Sequence, residues 1–277
     1  MARGRLGGPL VPIAMTPAGG KYDPGDPASI LRFARTARGR TVRELCDLTG
    51  TPFPPGKVES WPAKGFLGNV VERFFGIERN NRPEPDFPEA GVELKVLPLM
   101  RRTKGLDVKE PTSLTMIDYM RLVHEQWDQP ASVRKKLDRI LFVFVVVEPK
   151  DLLASKVREA ILWRPREMEN ATFREDWERT RDMVERGEAH LLSEVQARAL
   201  AARRKGPGGA TEKGRRQPGN PSVLAPSRAW ALKTRFTRQI LQEHVLRKSY
   251  DSAYDHLQRE DRGTGPASWE AGILRRL

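Results

Sequence analysis

A single cysteine, Cys46, stands in 277 residues, which excludes an internal disulfide, an all-cysteine zinc site and a disulfide-stapled secreted scaffold. Histidine is nearly as scarce. His124, His190, His244 and His256 lack the H-x-H or H-x3-H spacing of a histidine metal site or a His-Asn-His nuclease centre. The longest apolar run, residues 140–147, falls far short of the ~20 residues that cross a bilayer. Prolines interrupt the start of the chain, where a signal peptide needs an unbroken apolar stretch, so neither a membrane nor export is expected and the predicted location is cytoplasmic. No Lys-Ser or Lys-Thr pair follows Gly206-Pro207-Gly208-Gly209, which removes the case for an ATPase phosphate loop. Negative charge is also short: 36 Asp and Glu face 49 Lys and Arg, a net +13. That surplus points to a polyanionic partner, most often nucleic acid.

What remains is enough for one large domain or two small ones at ~100 to 200 residues each. Residues 1–27 are dense in Gly and Pro and read as an irregular arm. From Ala28 apolar residues recur at helical spacing, and Thr41 with Glu44 forms a capping-box pattern before a segment closed by Gly50, so two short helices are expected. A third is predicted over 64–75, where Leu67, Val70, Val71 and Phe74 form one stripe. After the proline-rich turn 80–88, residues 92–96 alternate with period two, placing Glu93 and Lys95 on one face and Val92, Leu94 and Val96 on the other. Residues 113–117 read as a second strand, and 140–147 as a strand buried on both faces. A long helix follows up to Gly187, with Glu175, Asp176 and Glu178 read as a solvated face around Trp177; 191–202 suggests another helix. The basic, Gly/Pro-rich stretch 203–222 is expected to be a flexible loop, 230–246 a strand entering a helix, and 251–277 a tail without clear period. One core domain, 28–250, is the reading.

One constellation carries chemistry: Asp86, then Glu93 after six residues, then Lys95. Cutting a phosphodiester requires an activated water and neutralisation of the charge gathering on phosphorus; hard oxygen ligands holding Mg²⁺ meet both needs. Asp86, Glu93 and the backbone carbonyl of Leu94 can hold that ion, and period two sets Lys95 beside Glu93, near the attacking water. Gly91 lets the chain turn tightly into the strand. Standing alone, a D-x6-E-x-K string arises by chance on many exposed strands. Here it sits on a strand with an apolar opposite face, in a strongly basic chain, with Glu72 at the edge of the preceding helix.

These residues resemble the MutH-type mismatch-repair nicking endonucleases and their restriction relatives of the Sau-three-A type. The resemblance rests on Lys64-Gly65-Phe66-Leu67-Gly68 leading to Glu72, on Glu84-Pro85-Asp86-Phe87 leading to Gly91-Val92-Glu93-Leu94-Lys95, and on Val133-Arg134-Lys135-Lys136-Leu137. Arg174-Glu175-Asp176-Trp177-Glu178 and Leu232-Lys233 with Phe236-Thr237 continue it in order, covering roughly residues 28–246. It implies an α/β, restriction-endonuclease-like fold of the PD-(D/E)xK kind, a mixed sheet flanked by helices, with two lobes around a DNA cleft. It also implies Asp86 and Glu93 as metal ligands, Lys95 as catalytic lysine, Glu72 as an accessory carboxylate that could serve a second metal, and Lys136 as a second lysine at the site. The family's base-reading segment matches Leu232-Lys233; an aromatic residue is typical before the leucine in the repair members, whereas here Ala231 holds that place and Trp230 lies one residue earlier. Lys233 and Arg235, and more weakly Arg228, are the DNA-contact candidates.

Three functions follow as expectations. The first is a Mg²⁺-dependent double-stranded DNA endonuclease of type II restriction kind, cutting at GATC or a related site, as a homodimer or by sequential nicks. The second is a methyl-directed nicking enzyme activated by mismatch-repair partner proteins, and the third a catalytically silent DNA-binding module. The wording of 84–91 favours the first over the second, and the clustered carboxylates argue against the third, because phosphate binding gains nothing from them.

Overall fold

The computed structural model describes residues 22–53, 63–78, 83–129, 131–206 and 214–246; the rest of the predicted arm and the whole 251–277 tail lie outside the described residues. Its frame is a mixed four-stranded sheet in the order β2-β1-β4-β5, built from β1 (Glu93–Arg102), β2 (Gly105–Val108), β4 (Ile140–Val146) and β5 (Lys156–Trp163). β1 and β4 run parallel with Glu93 opposite Ile140, and antiparallel β2 and β5 close the two edges. β3 (Thr112–Met116), β6 (Leu200–Arg204) and β7 (Arg228–Leu232) form a second, antiparallel sheet in the order β3-β7-β6.

The two faces of the first sheet bury separate apolar clusters. Leu141, Val143 and Val145 of β4 join Val92 and Leu94 against α1 (Pro27–Arg35), α2 (Val42–Thr49) and α3 (Ala63–Phe74). Ile140, Phe142, Phe144 and Val146 point the other way, with Leu97 and Leu99 of β1, toward the second sheet and α6 (Glu167–Glu185). An unbroken apolar strand is thus what a two-sided layer requires, as 140–147 indicated. The alternation expected over 92–96 is present, but neither face is solvent. Glu93 and Lys95 begin a row that continues as buried Leu97 and Leu99.

Caps set the bounds of the first two helices. Thr41 and Glu44 make the reciprocal capping box of α2, and Gly50 ends it in the left-handed region at φ 60°. α1 begins at Pro27 on the Asp26 cap, and Tyr22 packs flat on Phe33 at 4.8 Å and donates to the Phe75 carbonyl at 2.7 Å. The described end of the arm is therefore part of the helical layer. α4 (Tyr119–Leu122) and α5 (Ser132–Leu137) lie between β3 and β4, and α7 (Thr234–Ile240) runs into a π-helical turn, Leu241–Val245.

Two expectations are corrected. The helix read over 191–202 is two single 3-10 turns, Ala189–Leu191 and Glu194–Gln196, followed by β6, because the segment's peptide groups bond to β7 and to charged side chains rather than to each other. The loop 203–222 is not free at its described ends. Arg203 and Arg204 lie in β6, Gln217 is fully buried between the Ala189 N–H and the Val223 carbonyl, and Gly219 rests on the end of α6.

Candidate active site

The turn before β1 is a short hairpin. Phe87 and Val92 exchange both backbone hydrogen bonds at 2.9 and 3.1 Å, and Gly91 completes the reversal at φ 61°, where a side chain would be strained. Phe87 anchors the hairpin from below, with ring contacts to Phe75 at 5.2 Å and Tyr22 at 6.2 Å. Extending the pairing by one residue sets Asp86 across from Glu93. Asp86 Oδ2 accepts the Leu94 N–H at 2.9 Å, and the Glu93 N–H is bonded to the Arg139 carbonyl at 2.9 Å, so both carboxylates are fixed to the start of one strand.

Glu93 is 1% exposed. A carboxylate that deep is costly unless paired, and two ammonium groups meet it. Lys136, carried by α5 and itself buried, donates to its two oxygens at 3.2 and 3.0 Å, and Lys95 bonds its Oε1. The structure thus brings Asp86, Glu93, Lys95 and Lys136 together at the start of β1. Glu72 is different. It lies on α3, in the layer on the opposite sheet face, with Oε1 directed back over Gly68, 4.0 Å from where a Cβ there would lie. Among the described residues no three His, Cys, Asp or Glu side chains form a metal-holding group, so the expected third carboxylate is not gathered with Asp86 and Glu93 in this conformation.

The predicted DNA contacts are largely engaged inside the protein. Arg228 is buried, donating to the carbonyls of Ala202 (2.8 Å) and Leu192. Its place in the central strand of the second sheet leaves it no path to a groove, which corrects that expectation. Lys233 donates to the Glu194 and Ala197 carbonyls at 3.0 and 2.8 Å, and Arg235 grips the Arg198 carbonyl with two N–H groups at 3.0 and 2.8 Å. Trp230 and Ala231 are both buried in β7.

Two residues escaped the sequence. Asp176 is not on a solvated face; it is 1% exposed and accepts the N–H groups of Arg198, Ala199 and Leu200 at 2.8, 2.7 and 2.8 Å. Burial pushes its carboxyl above the usual range, against the opposing pull of those three donors. The signal was available, for Asp176 falls in step with buried Thr172, Phe173, Thr180 and Met183 on the inner face of α6. Arg139, whose guanidinium donates to the Ala90 carbonyl at 3.0 Å and so ties the hairpin turn to β4, left no such trace.

A mixed sheet whose first strand carries Glu93 and Lys95, with Asp86 held across from Glu93 by the preceding hairpin and Lys136 behind, defines a metal-dependent DNA endonuclease of the PD-(D/E)xK kind. The family model described as "DNA mismatch repair enzyme MutH" matches residues 75–176. Proteins named "DNA mismatch repair protein MutH" are similar along most of their length. That of Shewanella amazonensis is 31% identical over 77% of this chain and 93% of its own, and that of Vibrio cholerae 30% over 81% and 99%. One from Enterobacter is 29% identical over 87% and 99%. The chain belongs to the MutH family.

Proposed function

We propose that this protein is a strand-nicking endonuclease of DNA mismatch repair, acting at GATC or a related site with Mg²⁺. The observation that carries this reading is the Asp86, Glu93, Lys95 and Lys136 cluster, one such set among the described residues, in a chain matching nearly the full length of relatives named for mismatch repair. One catalytic set cuts one strand; two cuts need a second copy or a second encounter. Similarity along nearly the whole length of proteins named for mismatch repair supports nicking over the restriction reading that the wording of 84–91 favoured.

The donor set suits a hard, oxygen-seeking ion: Asp86, Glu93 and the Leu94 carbonyl would hold Mg²⁺, leaving its other positions to water and phosphate. When bound, the ion lowers the pKa of the attacking water and offsets the charge gathering on phosphorus. The chain's own part is orientation. Lys136 holds both Glu93 oxygens in place, and Lys95, shared between Glu93 and the solvent side, directs a hydrogen bond at the nucleophile. Water oxygen bonds to phosphorus as the bond to the 3′ oxygen breaks; that oxygen leaves with a proton, giving a 5′ phosphate.

A specific observation favours a second reading, a partner-independent restriction enzyme. Neither Ala231 nor Trp230 offers an exposed ring where the repair members typically carry an aromatic residue. Circular duplex DNA with one GATC, unmethylated, hemimethylated or fully methylated, separates the two. Nicked circles from hemimethylated DNA in Mg²⁺, stimulated by mismatch-repair partner proteins, are expected. Linear product from the protein alone supports restriction, and no cleavage of any substrate with partners present overturns both.

A further inference from the structure

The hairpin that carries Asp86 also walls an open pocket of about 430 Å³, whose lining includes Glu84, Gly91, Lys135, Asp138, Arg139 and Arg164. Three strand ends explain why these residues meet. Glu93 of β1 pairs with Ile140 of β4 and Ile140 with Trp163 of β5, so Arg139 and Arg164 stand across from each other just beyond the paired ends. α5 adds the fourth wall. Its adjacent lysines diverge by a helical step of about 100°: Lys136 turns in to Glu93, and Lys135 turns out into the pocket.

The charges in the pocket are unequally used. Arg139 spends one N–H on the Ala90 carbonyl, and Asp138 lies 3.7 Å from Arg134. Lys135 and Arg164 are exposed, and among the described residues their side chains have no hydrogen-bond or ion-pair partner. This contrasts with Lys233, Arg235 and Arg238, whose charges are engaged by carbonyls or by Asp107. Two unengaged cations and a guanidinium with donors to spare, in an open concavity lined by the residues next to Asp86 in the chain, fit a phosphodiester.

We propose that Lys135, Arg139 and Arg164 form a subsite for the backbone phosphate flanking the scissile one, so that the pocket sets the register of the cut strand. This rests on the Asp86 and Glu93 centre being where cleavage occurs. Arg139 couples the two places: its side chain holds the turn at Ala90 and its carbonyl holds the Glu93 N–H, so a phosphate drawn into the pocket bears on the hairpin that presents both carboxylates. Glu84 on the rim opposes the phosphate and limits the affinity.

The test uses the full chain, a fluorescein-labelled duplex carrying one GATC, and both equilibrium binding and single-turnover cleavage in Mg²⁺. The Lys135→Gln/Arg164→Gln double variant should bind roughly tenfold more weakly, with the salt dependence of log Kd reduced by about one to two, and the loss should lie in Kd rather than in the rate at saturating DNA. Glu84→Gln should shift binding the other way. Lys150→Gln, in the turn beyond the far end of β4, removes a charge without either effect. A double variant with wild-type Kd and salt slope, or one that loses the saturating rate at unchanged Kd, overturns the subsite. Cleavage that survives Glu93→Gln, by contrast, overturns the assignment of the centre itself.

Discussion

At the residue scale the site turns on Glu93, the most enclosed of its charged groups, held by Lys95 and Lys136. Replacing it by glutamine keeps the shape and removes the charge. Cleavage should fall by roughly a hundredfold or more, while DNA binding stays level or tightens because a negative group has left the phosphate's path. Lys136, buried without its counter-charge, should lower stability by about 3 kcal/mol. Glu72→Gln should cost less than tenfold in the cleavage rate, since α3 holds Glu72 apart from Asp86 and Glu93. Single-turnover rates of nicking closed circles that carry one GATC compare the two variants. If Glu72→Gln silences cleavage as fully as Glu93→Gln, α3 must carry its carboxylate into the centre during the reaction.

Between elements a close approach lies where the chain after β6 crosses the end of α6. A Cβ added at Gly219 would lie 2.2 Å from the Glu185 carbonyl oxygen and 2.4 Å from the Gly187 nitrogen, both backbone atoms with little room to yield. Gly219→Ala should therefore cost more than about 2 kcal/mol in urea denaturation; an unchanged midpoint would mean that this segment detaches from α6 at no cost. The sequence could not show this contact, because a glycine in a Gly/Pro-rich stretch reads as a turn whatever touches it. Elements whose reasons are local were legible: the α2 capping box, the period-two face of Glu93 and Lys95, and the two-sided apolar run of β4. Those whose reasons are distant were not. Leu200, Ala201 and Ala202 form a strand because β7 pairs with them, and the 194–198 carbonyls bend inward because Lys233 and Arg235 reach them from the start of α7. Lys233 and Arg235, the DNA-contact candidates of the sequence, are thus also ties within the fold, a role that no local pattern shows.

On the scale of the whole molecule, β4 joins the two halves. Leu141, Val143 and Val145 belong to the cluster under α1 to α3, while Ile140, Phe142, Phe144 and Val146 belong to the other. Removing either layer would bare one face of the strand at a cost of about 1.5–3 kcal/mol for each large side chain exposed, so neither layer has a complete core alone. The core domain read in the sequence over 28–250 should accordingly unfold as one unit. The chain supplies its own probes. Cys46, the sole cysteine, is buried in the helical layer, where burial pushes its thiol up to about 11, so near pH 8 it is both shielded and almost wholly protonated until that layer opens. Unfolding returns the thiol to its ordinary range near 8.5 and exposes it to alkylation. Four of the six tryptophans, Trp127, Trp163, Trp177 and Trp230, report the other cluster. In a urea titration, the midpoint of pulsed Cys46 alkylation should coincide with that of tryptophan fluorescence. Alkylation at distinctly lower urea would mean that the helical layer melts off β4 first, and the two halves would then be separate folding units joined by a shared strand.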